Sequence, residues 1–142
     1  MRYLGIDLGS KTVGLAMSDT TLTIASTYKT IFFKDEDYNS TINEIKDIIK
    51  ENNITKIILG LPKNMNNTEG ERCEKTKEFA QMLERRTGLS VVLWDERLTT
   101  VAADRHMMES GIRRENRKQY VDEIAAVFIL QGYLDSLAFQ KH

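Results

Sequence analysis

The first nineteen residues constrain the chain most. Tyr3 to Asp7 alternates apolar and small residues and reads as a strand, Gly9-Ser10 marks a turn, and Val13 to Met17 reads as a second strand. Asp7 stands where the apolar residues of the first strand run out. A carboxylate there lies beside a buried sheet and faces a turn rich in backbone N–H groups, a place to hold a cation against a phosphate. The plainer reading is that Asp7 only caps the turn. The rest of the chain has to decide between the two.

At 142 residues the chain has room for one ordinary domain, residues 1–142, with a real core. A hydrophobic fraction of 41% beside 29% charged residues fits a globular protein and excludes global disorder. The longest apolar run, Ile124 to Leu130, is far short of the ~20 residues a membrane span requires, so no membrane role is expected. Asp7 interrupts the apolar stretch a signal peptide would need. A single cysteine, Cys73, excludes an internal disulfide and fits a reducing compartment, so the expected location is the cytoplasm. Net charge is −1, but it is unevenly spread. The stretch 34–53 is acid-rich and 105–118 is base-rich, a polarity that can offer a basic face to a polyanion.

Ile24 to Phe33, rich in β-branched and aromatic residues, reads as a third strand, and three strands with short connections imply an antiparallel meander. A helix then places Tyr38, Ile42, Ile45, Ile48 and Ile49 on one face, with Asp37 or Asn39 to cap its start and Asn52-Asn53 to close it. Lys56 to Gly60 reads as a buried parallel strand ending at the only proline, Pro62. Thr68-x-x-Glu71 opens a helix by a capping-box pattern, with Cys73, Thr76, Phe79, Ala80 and Leu83 inward and Gly88 as its stop. Cys73 is expected in the core rather than as a nucleophile, because no histidine lies near it in sequence. Leu89 to Trp94 reads as a fifth strand, a helix is expected from Thr99 or Thr100 to Gly111, and a last helix from Tyr120 to Phe139 follows a basic loop at 113–118. The expected fold is α/β: a five-stranded mixed sheet, a three-strand meander followed by β-α units, with helices on both faces. In such sheets ligands lie beyond the carboxyl ends of the parallel strands, where Asp7, Gly60-Leu-Pro62 and Asp95-Glu96 fall.

Three carboxylates on separate elements can meet there. Asp95 and Glu96 end the fifth strand, and strand alternation allows only one of them to face the site. Asp122 is expected in the first turn of the most apolar helix, where a dipole or capping role is the simpler explanation. Small Ala125 and Ala126 would let that helix pack closely on the sheet. Oxygen donors without a His or Cys cluster suit Mg²⁺ or Mn²⁺ rather than zinc. Two such ions about 4 Å apart can activate water and stabilise a leaving oxygen on phosphate. Lys11, Arg97 and the basic segment with Arg113, Arg114 and Lys118 supply phosphate-binding groups around this acidic centre. The combination fits phosphodiester hydrolysis.

Four motifs in order, Gly5-Ile-Asp-Leu-Gly-Ser-Lys-Thr-Val-Gly-Leu-Ala-Met-Ser-Asp19, Gly60-Leu-Pro-Lys-Asn-Met-Asn-Asn-Thr-Glu-Gly70, Asp95-Glu-Arg-Leu-Thr-Thr100 and Val121-Asp-Glu-Ile-Ala-Ala-Val-Phe-Ile-Leu130, resemble the YqgF family, also called RuvX. These proteins of the ribonuclease H-like superfamily are described as pre-16S rRNA nucleases or Holliday junction resolvases. The resemblance runs from residue 2 to about residue 134. It implies a ribonuclease H-like fold and a metal-dependent endonuclease, with Asp7, Glu96 and Asp122 as catalytic and metal-binding carboxylates. It thereby chooses Glu96 over Asp95. The loop here reads Asn66-Asn67-Thr68 where the family commonly has a glycine before the threonine, and 34–48 looks individual to this chain.

The leading expectation is a Mg²⁺- or Mn²⁺-dependent endonuclease maturing the 5′ end of pre-16S rRNA in ribosome biogenesis. Structured RNA is the favoured partner, ribosomal precursor particles are a candidate one, and branched DNA is the alternative. A junction resolvase acting on two symmetric strands would want a dimer, so monomer and weak homodimer both stay open. A non-catalytic nucleic-acid module is a second class of reading. A sugar-kinase or chaperone-type ATPase is a third, because Gly5-Ile-Asp-Leu-Gly-Ser10 resembles the phosphate loop of that related fold. Such ATPases need two lobes, and this chain has room for one.

Overall fold

In the computed structural model the described residues are 1–9, 11–34, 37–61, 71–95 and 114–140, with backbone alone described at 71–72, 114–123 and 138–140. They form strands β1 (Arg2–Leu8), β2 (Thr12–Ser18) and β3 (Ala25–Phe32), helix α1 (Tyr38–Asn52), strand β4 (Ile54–Leu61), helix α2 (Glu71–Thr87), strand β5 (Val91–Asp95) and helix α3 (Arg114–Gln140). The five strands make one sheet in the order β3-β2-β1-β4-β5. β1 pairs antiparallel with β2 and parallel with β4, β2 pairs antiparallel with β3, and β4 pairs parallel with β5. This is the expected meander followed by parallel strands. The helix expected over 99–111 and the cap at Thr68 lie outside the described residues.

Strand alternation divides the core in two. Leu4, Ile6 and Leu8 of β1 pack with Ile42, Ile45 and Ile48 of α1 and with Phe79 and Leu83 of α2. Ala16, Ile58 and Ala25 pack with Ala126, Ile129, Leu130 and Leu134 of α3 on the other face. Cys73 is buried in α2, as its helical spacing implied. The helix ends follow local chemistry. Asp37 accepts from the Ser40 amide at 3.3 Å as the N-cap of α1, and Asn53 closes it in the left-handed region with φ 58°. Gly88, at φ 74°, follows α2 and its N–H donates to the Glu84 carbonyl at 3.0 Å.

One feature of the helices departs from expectation. α3 begins at Arg114, so Arg114 to Lys118 lie in its first turns rather than in a basic loop. Arg-Glu-Asn-Arg-Lys-Gln is free of glycine and proline and is dominated by good helix formers, and Glu115 precedes Lys118 by three residues. Nothing local stops the helix from extending backwards.

α3 lies against β1 at very short range. A Cβ built on Gly5 would stand 2.7 Å from the Leu130 Cβ and 2.9 Å from the Ala126 carbonyl oxygen. Further along, Tyr3 and Tyr133 meet with ring centroids 6.1 Å apart, and Tyr133 stands edge-on to Trp94 at 5.9 Å. The Lys56 ammonium donates to the Tyr133 hydroxyl at 3.1 Å and lies over both tyrosine rings, which holds it above the ordinary lysine pKa. Gln131 fixes the same helix to β3, accepting from the Ala25 amide and donating to the Thr23 carbonyl, both at 2.9 Å.

The turn between β2 and β3 is organised by Asp19. Its carboxylate accepts from the amides of Thr23 at 2.8 Å, Ile24 at 2.9 Å and Thr21 at 3.3 Å, and from the Thr21 hydroxyl. These bonds, the Ile24 amide foremost, hold the Asp19 pKa well below the usual carboxylate range.

Two stability outcomes follow. Gly5→Ala should lower the free energy of unfolding by about 1–3 kcal/mol in urea titration, because its neighbours include helix backbone that cannot move aside. Asp19→Asn should be less stable than the parent at neutral pH. Because the folded-state pKa is depressed, the advantage of the carboxylate is complete above its unfolded value, about 3.9, and fades as pH falls below it. The gap in thermal midpoint between the two proteins should therefore narrow below about pH 4.

Candidate active site

Asp7 is the penultimate residue of β1 and pairs with Gly14 of β2. Its neighbours Ile6 and Leu8 face α1 and α2, so Asp7 faces the α3 side, as do Gly5 and Tyr3. It is 8% exposed, one of the few polar residues buried among the described ones. Burial raises the free energy of the charged form, and only partners that favour the charge offset it.

The sheet carries this row outward. Asp7 pairs with Gly14, and Gly14 with Thr30 of β3, so all three share the α3-side face. The Thr30 hydroxyl is buried without a hydrogen-bond partner. On the parallel side, Ile6 pairs with Leu59 and Leu61 with Asp95, so β1, β4 and β5 present their carboxyl ends at one edge of the sheet. Asp95 is the last residue of β5, and Glu96 and Arg97 follow outside the described residues. Arg113 also lies outside them.

Position 122 is reached through the helix backbone. Tyr133 lies by Tyr3, while Leu130 and Ala126 lie over Gly5, so α3 runs antiparallel to β1. From Ala126 back to Asp122 is one helical turn, about 6 Å of rise. From Gly5 to Asp7 is two strand residues, about 6.6 Å. The two backbones climb together towards the same end of the sheet. Asp122 is the ninth residue of α3, beyond the first turn, where the helix dipole has little to offer a carboxylate. The dipole explanation for Asp122 therefore loses its basis. Arg114 and Lys118 occupy the same N-terminal part of the helix.

The hairpin after Asp7 is described except at residue 10. The Gly9 N–H is used within the hairpin, donating to the Thr12 carbonyl at 2.7 Å. Lys11 is exposed, and its carbonyl accepts from the Phe33 amide at 3.0 Å, which ties the β1–β2 turn to the end of β3. The turn thus offers a side-chain cation, with the Gly9 amide already engaged. Sequence reasoning missed the role of Gly5, which admits α3 to the site. The signal was present as a glycine two residues before Asp7 and a pair of alanines three and four residues after Asp122.

With this arrangement established, the chain can be compared with known proteins. Residues 1–136 match the family profile described as "RuvX: Holliday junction resolvase". The chain belongs to the RuvX family. It is 64% identical over 139 residues to a protein of Agathobacter rectalis named "Putative pre-16S rRNA nuclease", covering 97% of each chain. A Bacillus subtilis protein of the same name is 47% identical over 137 residues, covering 96% of this chain and 99% of that one. Among solved structures, T. thermophilus RuvC in complex with Holliday junction substrate superposes with a TM-score of 0.63 at 13% identity, over 98% of this chain and 96% of that one. At that identity the likeness establishes the fold, which is ribonuclease H-like. Among the described residues no helix is long and apolar enough to cross a membrane.

Proposed function

We propose that this RuvX-family protein is a metal-dependent endonuclease that hydrolyses phosphodiester bonds, and that its substrate is pre-16S rRNA, cut during 5′-end maturation in ribosome biogenesis. The observation that carries the reading is the buried Asp7 carboxylate at the carboxyl edge of the sheet, on the face along which α3 brings position 122 to the same level. The substrate follows from relatives named as pre-16S rRNA nucleases at 64% and 47% identity along nearly the whole chain. Its place of action is the bacterial cytoplasm, where such a precursor is found.

The donor set suits a hard cation. Asp7 supplies carboxylate oxygens, and Glu96 and Asp122 would complete an all-oxygen set of the kind Mg²⁺ or Mn²⁺ prefers. Held by these residues, such an ion would supply activation of water and stabilisation of charge on the leaving oxygen. Asp7, on a rigid central strand paired on both sides, positions the acidic centre. Lys11, exposed on the turn, meets the phosphate backbone, and Arg97, Arg113, Arg114 and Lys118 extend the basic rim.

A second reading keeps the chemistry and changes the substrate: four-way DNA junctions. It is favoured by the family's description and by the RuvC neighbour seen with a Holliday junction. Both readings predict that Asp7→Asn folds normally and loses metal-stimulated cleavage by at least about a thousandfold. One preparation of parent and variant should be assayed on pre-16S RNA and on four-way DNA junctions, with Mg²⁺ and with EDTA. Cleavage of the RNA but not the junction supports the first substrate, and the reverse supports the second. Equal cleavage by parent and Asp7→Asn would overturn the nuclease assignment.

A further inference from the structure

At the rim of the Asp7 row stands an aromatic side chain with no packing role. Phe32, the last residue of β3, is 68% exposed, the largest exposure among the exposed large hydrophobic residues described. Its neighbours Ile31 and Phe33 are buried on the α1 side, and Phe33 packs against Tyr38 with ring centroids 5.6 Å apart. Alternation therefore puts Phe32 on the opposite face, the one that carries Asp7, Gly14 and Thr30. Two strand spacings and two residues of rise separate it from Asp7, about 12 Å between Cα atoms. Between them the sheet carries Gly14 and Thr12, small side chains on the same face, and Thr12 pairs directly with Phe32.

Two lysines lie near this end of β3 along the chain. The Phe33 amide is bonded to the Lys11 carbonyl, which brings Lys11 beside the end of β3, and Lys34 follows two residues after Phe32. Both lysines are exposed. The nearby Asp37 carboxylate is turned into the α1 N-terminus as its cap. An exposed aromatic face near the end of a strand with lysines close by, on the face of a proposed phosphodiester-cleaving centre, has the chemistry of a base platform: the ring can stack a nucleobase while exposed ammonium groups meet the backbone.

We infer that Phe32 stacks an unpaired base of the substrate strand, a few nucleotides from the phosphate at Asp7, with Lys11 and Lys34 holding the intervening backbone. A base in a continuous duplex cannot offer its face to Phe32, so this contact selects substrates that are single-stranded or locally open beside the cleavage position. A second copy of the chain is the competing occupant. The β3 edge is poorly made for it: the register shifts between Leu15 and Ala16 opposite Lys29 and Thr27, and Lys29 and Lys34 line the strand and its end.

The inference rests on the nuclease reading for its direction, but its test does not need cleavage. Binding of the full chain to a single-stranded RNA oligonucleotide containing 2-aminopurine is followed by fluorescence quenching in EDTA, beside a fully paired duplex of the same sequence. Phe32→Ala should weaken single-strand binding about tenfold and abolish the quenching, while Phe32→Tyr stays within about twofold of the parent. Duplex binding should be the same for all three. Because Phe32 is exposed, circular dichroism and thermal midpoint should be unchanged. Unaltered single-strand affinity and quenching in Phe32→Ala would overturn the inference. So would a sedimentation result in which Phe32→Ala converts a dimer to a monomer without changing binding. If Phe32 controls quenching but Asp7→Asn cleaves as well as the parent, the nuclease reading fails and the base platform stands. If Asp7→Asn is inactive and Phe32→Ala binds normally, the opposite holds.

Discussion

The close crossing of α3 over β1 at Gly5 is the contact on which the site depends. A helix normally rests on a sheet through a layer of side chains, which holds its backbone well away from the strands. Here the strand contributes no side chain, and the helix contributes Ala126 and the base of Leu130. The approach is short enough that even a methyl group on Gly5 would strike helix backbone. Fixed there, and again by Tyr3, Lys56 and Tyr133, the helix has its direction set relative to β1. Its N-terminal half must then run towards the strand end where Asp7 sits. Packing at Gly5, Ala126 and Leu130 thus sets the direction of the helix that contains position 122.

The sheet solves a complementary problem. Asp7 is buried, and a buried carboxylate is tolerated only where its charge finds partners. The mixed topology puts it at the junction between antiparallel and parallel halves. On one side lies a hairpin whose own hydrogen bonds are closed, by Gly9 to Thr12 and by Phe33 to Lys11. On the other, β4 and β5 end at the same edge. Asp7 stands on a sheet held by core residues such as Ile6, Ile58 and Leu59, each fully buried. The scaffold is rigid where a metal would need it to be.

Much of this was legible in the sequence because its signals are local. The apolar runs gave the five strands to within two residues. Asp37 opens α1, and Asn53 and Gly88 close α1 and α2, as their chemistry requires. The core place of Cys73 followed from helical spacing and from the lack of a histidine near it in sequence. The pair Ala125-Ala126 already hinted at close packing, but it could not say against which strand, since that is a long-range contact. The start of α3 was misplaced for a different reason. A run of charged residues looks like loop, yet arginine, glutamate, lysine and glutamine are good helix formers when neither glycine nor proline interrupts them. Strand alternation could not choose between Asp95 and Glu96. The four-motif resemblance points to Glu96, which lies outside the described residues.

Moving the start of α3 back to Arg114 changes the electrostatics of the edge as well as its geometry. As a first-turn residue, Asp122 would have a sufficient structural reason to exist at the positive end of a helix. As the ninth, it has lost that reason, and the residues now in the first turns include Arg114, Arg117 and Lys118. Cations at a helix N-terminus are unfavourable to the helix itself, by a few tenths of a kcal/mol to about 1 kcal/mol each near the surface. A chain that concentrates them there and places an aspartate deeper in the same helix works against its own local stability twice. Conflicts between a local rule and the observed sequence are expected at functional positions. Both fit the proposed function, in which the basic turns would meet a polyanion and Asp7 and Asp122 would contribute oxygens to a cation.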